Sequence, residues 1–257
     1  MATVEPVTVE TELVESSHGS QLAASNAAAW WMELARARGH ALIQGPGYFW
    51  VPGSVRAGLR IMVLSPDLDQ AELARLAGSW PEGSKLTVED PYNVLDLSGV
   101  GLTPKSLPVM LREPGPVTGT PRLPATLATS ENEIAIAERV VVDGFPLSRF
   151  QPYRQGECLP YSLTEHSGTR FHLARRDGEP AGACATFFDG TVGGVYWVGT
   201  LPEHRSQGVG RAIMTSALHE LGDVPATLTA TAAGRPLYES LGFRTVSEST
   251  WWWSATS

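Results

Sequence analysis

Cysteine is scarce in this 257-residue chain, which holds only Cys158 and Cys184. Two thiols cannot form a disulfide framework, and no CxxC or HxxxH grouping gives the spacing of a structural metal site. The histidines at His18, His40, His166, His172, His204 and His219 are scattered, so no metal is expected. Basic residues are outnumbered, 19 Lys and Arg against 27 Asp and Glu, for a net charge of −8 and a pI near 5.3. That balance argues against a nucleic-acid partner, whose binding face carries a basic patch. No apolar run approaches the roughly 18 residues of a membrane span. The opening "MATVEPVTVETELVESS" is acidic and lacks the charged-then-apolar order of a secretion signal. A cytoplasmic protein without a membrane partner is therefore expected. What is present is apolar bulk, 42% of residues, enough for a core in one large domain or two moderate ones.

Periodicity and turn residues divide the chain. "SQLAASNAAAWWMELARARG" (20–39) predicts an alanine-rich helix stopped by Gly39. "HALIQGPGYFWV" and "GLRIMVLSP" predict strands, and "DLDQAELARLAGSW" predicts a short amphipathic helix. "SKLTVED" and "KSLPVMLREP" follow as further strands. The stretch "EPGPVTGTPRLPATLATS" (113–130) reads as a loop, with 116–129 linking an N-terminal α/β domain (1–115) to a second domain (130–257). Ser130 and Glu133 form a capping box before the helix "ENEIAIAERVVVDG". Three strands at 169–178, 180–190 and 193–202 come next, joined by hairpin turns in "RRDGEP" and "DGTVGG". The chain closes with the helix "GRAIMTSALHELG", the strand "ATLTATA", the helix "RPLYESLG" and the strand or strand pair "FRTVSESTWWW". This order predicts a mixed α/β (α+β) fold with a mostly antiparallel sheet flanked by helices.

Between the third strand of the meander and its helix lies "HRSQGVGRAIM" (204–214), with Gly208 and Gly210 beside arginines. A glycine turn opening a helix leaves backbone N–H groups without partners, and these can hold a phosphate. The alternative is a helix start that is merely glycine-rich. The stretch lacks the context of a dinucleotide fingerprint and the Lys-Ser/Thr of a Walker loop.

"LPEHRSQGVGRAIM" resembles motif A of the GCN5-related N-acetyltransferases (GNAT), where Arg/Gln-x-x-Gly-x-Gly/Ala joins the fourth strand to the third helix. "GRPLYESLGF" is similar to the family's second signature, a tyrosine followed four residues later by Gly-Phe. The resemblance covers about residues 125–257. It implies acetyl-CoA as acyl donor, with Arg205, Ser206, Gln207, Gly208, Val209, Gly210 and Arg211 at its phosphates. It also implies that Val198, Gly199, Thr200 and Leu201 form an exposed strand edge for pantetheine. Tyr238 becomes the proton donor to the departing thiolate, against the alternative of a core tyrosine. Arg205 and Arg211 either add charge near the phosphates or are solvated surface groups. The general base stays open among Glu203, His204, Glu165 and Glu157. Two departures stand out: the family's common asparagine is Thr231 here, and its alanine is Gly234.

The implied activity is acetyl transfer to the amine of a small molecule or peptide, by direct attack and without a metal. A non-catalytic acyl-CoA sensor, or the use of another acyl donor, remains an alternative. The acidic net charge leans toward a cationic acceptor. The N-terminal half lacks motif A, yet its element order echoes the C-terminal half. A degenerate counterpart predicts a V-shaped split in its strands, whereas an unrelated α/β extension does not.

Overall fold

A long helix, α1 (Val9–Ala37), leads the computed structural model, which describes residues 9–81, 84–117, 120–145, 147–166 and 168–254. The helix begins eleven residues before the expected Ser20, because nothing in the acidic segment before it breaks a helix. The N-terminal half continues with β1 (Ile43–Gly45), β2 (Tyr48–Val51), β3 (Leu59–Val63), α2 (Gln70–Gly78), β4 (Leu86–Asp90) and β5 (Leu102–Arg112). The expected strand over 40–51 is thus a hairpin, folded back where Gly47 takes a left-handed φ of 76°. After it come β6 (Ala125–Ala128), α3 (Glu131–Gly144), the single turn α4 (Leu163–His166), β7 (Thr169–Arg176), β8 (Glu179–Phe188) and β9 (Gly193–Thr200). The last elements are α5 (Val209–Leu221), β10 (Ala226–Thr229), α6 (Arg235–Glu239) and β11 (Arg244–Ser254). The stretch 113–130, read as loop, contains β6, which pairs with β7. Its four residues are too short to stand out among surrounding prolines. Residues 244–254 form one strand with a bulge and no strand pair.

All eleven strands join one sheet in the order β1-β2-β3-β4-β11-β5-β10-β9-β8-β7-β6. Only β3–β4 and β9–β10 are parallel, each joined through its own helix, α2 or α5. The two halves therefore repeat three strands, a helix, a parallel strand and a final strand. The final strands are exchanged: β5 lies beside β10 of the C-terminal half, and β11 beside β4 of the N-terminal half. β5 and β11 pair with each other along their length, so the sheet is continuous across residue 115.

The two parallel pairs differ in one respect that matters. β3 and β4 stay in register from Leu59↔Leu86 to Met62↔Glu89, and β3 then ends. β9 and β10 pair only at Gly193↔Ala226 and Gly194↔Thr227, while β9 runs on to Thr200. The V-shaped split is confined to the C-terminal half. The N-terminal half repeats the order of elements without a split between its parallel strands.

The sheet buries both faces. On one, α1 and α3 pack Trp30, Leu34, Val141 and Phe171. On the other, α5 packs Ile213, Met214 and Ala217 against β8 and β10. The capping box at the start of α3 is formed, with Ser130 and Glu133 exchanging hydrogen bonds. His172, on β7, is buried between Ser216 and Thr186, with ring nitrogens 3.0 and 3.3 Å from their hydroxyls. Burial drops its pKa from 6.5 to about 4. Between those values the unfolded chain binds more protons at this site than the folded one, so stability rises with pH across the window. Acid unfolding is expected to begin as pH falls below about 6.5 and to shift to lower pH in His172→Gln, read by denaturant midpoints across pH.

Glu138 sits fully buried on the core face of α3, where the 3.6-residue stripe calls for an apolar side chain. Its carboxylate accepts from the Tyr153 hydroxyl (2.8 Å) and the backbone N–H groups of Gly156, Cys158 and Leu159 (2.7–2.9 Å). One side chain thus fixes the 153–159 loop against α3. Glu138→Gln turns an amide donor toward those donors, and a loss of about 2 kcal/mol is expected in urea denaturation.

Candidate active site

The split between β9 and β10 is reinforced by a bulge. Ala183 pairs with Gly199 and Ala185 with Tyr196, so Trp197 and Val198 together oppose Cys184. Trp197 takes a left-handed φ of 57°, a conformation that aromatic residues rarely adopt. Its indole stands edge-on to Phe145 (5.6 Å) and to Trp31 (6.2 Å), which holds the strained backbone in place. Nothing in the sequence marked Trp197. An added Cβ at Gly199 would lie 3.2 Å from the Phe145 ring, so that glycine makes room for packing.

Val198, Gly199 and Thr200 form the stretch of β9 that leaves β10, with Leu201 just beyond it. Gly199 and Thr200 pair on the β8 side, and Leu201 donates to the Ala181 carbonyl. The opposite edge faces the split. An extended chain of amides can add to such an edge as a peptide strand does.

A single turn at Pro202–His204 then leads into the glycine-rich loop. Ser206 (φ 60°) and Gly208 (φ 85°) are both left-handed, and Gly208 is the N-cap of the thirteen-residue α5. Among the described residues, no acceptor takes the N–H groups of Gln207, Gly208, Val209, Gly210 or Arg211. These donors and the positive helix end make a cradle for a phosphate. The two glycines have different reasons. A Cβ at Gly208 would meet nothing within 4 Å and would project into open space, so only its φ demands glycine. A Cβ at Gly210 would approach Leu237 to 3.0 Å, so that position lets α6 close on α5.

Both flanking arginines have partners within the protein. Arg205 donates to the Gly144 carbonyl (3.0 Å) at the C-terminus of α3. Arg211 donates to the Ser240 hydroxyl (2.6 Å), tying α5 to α6. Gln207 donates to the Glu203 carbonyl (3.0 Å), and both its side chain and that of Ser206 are exposed on the loop.

Tyr238 projects from α6 into the core on the α5 side, edge-on to Phe243 at 6.1 Å. Its ring occupies the space that a Cβ at Gly234 would enter, at 2.8 Å, which accounts for glycine where the resemblance implies alanine. No described residue takes a hydrogen bond from the phenol. Burial, and secondarily nearby Cys184, push its pKa well above the usual 10. The group is therefore protonated at neutral pH and has a proton to donate. Burial likewise keeps Cys184 a thiol, which excludes it as a nucleophile.

The four base candidates are not brought together. Glu157 pairs with Arg56 at 2.5 Å, and Glu165 lies exposed on α4. Glu203 and His204 line an open cleft with Arg139 and Tyr153. Among the described residues there is no group of three metal-ligating side chains, and no helix is long and apolar enough to cross a membrane.

Residues 167–245 match the family model of an acetyltransferase (GNAT) domain. Solved structures of the same fold extend beyond that segment. A GCN5-related N-acetyltransferase from Kribbella flavida superposes with a TM-score of 0.64 at 23% identity, covering 91% of this chain and 96% of that one. A GCN5-related N-acetyltransferase from Sphaerobacter thermophilus gives 0.52 at 15%, covering 81% and 76%. A tandem GNAT protein from the clavulanic acid biosynthesis pathway gives 0.52 at 14%, covering 85% and 79%. At these identities the likeness is one of fold. No curated protein sequence matches the chain. The split strand pair and the glycine-capped helix both lie within residues 167–245, the segment that matches the GNAT domain model, and the chain as a whole shares the fold of these structures.

Proposed function

We propose that this chain is an acyl-CoA-dependent N-acetyltransferase, taking acetyl-CoA as donor and an amine of a small molecule or peptide as acceptor. The observation that carries the reading is the run of unpartnered N–H groups from Gln207 to Arg211, continuous with the unpaired edge of β9. The loop N–H groups hold the pyrophosphate, and the β9 edge pairs with the pantetheine amides. In this reading the thioester lies near the bulge at Trp197 and Val198. The donor supplies an activated acetyl group. The neutral amine attacks the thioester carbonyl carbon, the new C–N bond forms and the C–S bond breaks. The departing sulfur takes a proton from the Tyr238 hydroxyl, the amine gives up its proton to solvent, and solvent returns a proton to Tyr238.

Release of CoA thiol from acetyl-CoA in the presence of a panel of primary amines tests this reading. Amine-dependent release with an acetylated product supports it. Tight acetyl-CoA binding without transfer to any amine would replace it with the sensor.

A further inference from the structure

Three cationic side chains far apart in sequence converge between α1, β3, β4 and the 148–150 turn. Arg38, Arg60 and Arg149 line one narrow pocket with Trp31, His40 and Thr87. Arg38 and Arg149 hold their guanidinium groups 5.7 and 5.2 Å from the Phe150 ring centroid, and Arg56 stands 5.9 Å from it. Such a cluster in a chain of net charge −8 needs an explanation.

The carboxylates nearby do not balance it. Arg60 pairs with Glu89 at 2.8 Å, and Arg56 with Glu157. Glu138 faces Arg38, but its oxygens are taken by Tyr153 and three backbone N–H groups. Among the described residues Arg38 donates only to the Cys158 carbonyl and thiol. Arg149 has no carboxylate partner among the described residues, and its Nε–H is buried without an acceptor. The cations also oppose one another. Arg149 and Arg38 both disfavour the charge on Arg60, Arg149 that on Arg38 and Lys85, and Arg38 that on His40. Buried polar groups are almost always paired, and a guanidinium with a buried, unpartnered Nε–H among like charges is costly unless an anion completes it.

The pocket lies one indole layer from the split. Arg60 stacks on Trp31 at 3.4 Å, and Trp31 meets Trp197, the bulge residue of β9. We propose that Arg38, Arg60 and Arg149 bind an oxyanion of the acceptor, so that the amine acetylated here belongs to a molecule that also carries a carboxylate or phosphate. The planar guanidinium fork suits either group. This inference rests on the acetyltransferase reading and reverses the preference for a cationic acceptor drawn from net charge. The overall field is acidic, but the local one beside the split is positive.

The test uses the full chain. Thermal shift is measured with sodium phosphate, the common L-amino acids and O-phosphoethanolamine, each amine beside its counterpart lacking the acidic group. CoA release from acetyl-CoA is then followed with the same amines. The expected result is stabilisation and faster CoA release by anionic amines over their anion-free counterparts. Arg149→Gln should raise the acceptor KM about tenfold and leave acetyl-CoA affinity unchanged, with partial recovery in Arg149→Lys. Equal turnover of an anion-free counterpart would overturn the proposal. So would anion stabilisation that survives in Arg149→Gln, or phosphate binding with no preference for anionic amines. Should Arg149→Gln fail to fold, the wild-type comparison of paired amines decides alone. Failure of the acetyltransferase reading itself reads differently: no acetyl-CoA binding and no release with any amine, whatever the anion shift.

Discussion

Gly208→Glu is expected to weaken acetyl-CoA binding by about 100-fold or more, equivalent to ~2.7 kcal/mol. The position is suited to the test because Gly208 lies within the run of free N–H groups and a Cβ there meets no protein atom within 4 Å, so a new side chain is accommodated without a clash. In the proposed complex the added carboxylate lies beside the pyrophosphate, and like charges repel. The only intrinsic cost is the left-handed φ of 85°, about 1–2 kcal/mol for a residue with a Cβ. The variant should therefore remain folded, with a small fall in Tm. Gly208→Ala separates the two effects, since it keeps the backbone cost and omits the charge. Its binding should fall far less than that of the glutamate. Calorimetric titration of all three chains checks the order.

Tyr238→Phe should lower kcat by about 100-fold while leaving acetyl-CoA affinity almost unchanged. The ring does the packing against Phe243 and beneath Gly234, and phenylalanine preserves it. The hydroxyl gives no hydrogen bond to a described residue, so its loss should cost little stability. What disappears is the proton for the departing thiolate. Because burial holds the phenol above its ordinary pKa of 10, wild-type turnover should show no loss from tyrosine ionisation below that pH. A variant with unchanged kcat would return Tyr238 to a purely structural role.

Much of the C-terminal half was legible because its signals are local. The capping box of α3 lies within four residues, the meander turns are short glycine hairpins, and the two glycines of "GVG" announce a helix start. The features that escaped are non-local. The exchange of β5 and β11 depends on pairings between residues more than a hundred positions apart, and no periodicity encodes it. The left-handed backbone at Trp197 is imposed by Phe145 and Trp31, against the preference of its own side chain. Glu138 interrupts the apolar stripe of α3, and the donors that justify it come from the 153–159 loop, outside that helix. The arginine pocket draws on positions 38, 60 and 149, each an ordinary surface arginine when read alone.

The most direct measurement is a calorimetric titration of the wild-type protein with acetyl-CoA at two salt concentrations. The account expects saturable one-to-one binding that weakens as salt rises, because backbone donors and a helix end meet phosphate charge. No heat of binding at any accessible concentration would contradict it, and the glycine turn would be a helix start and nothing more.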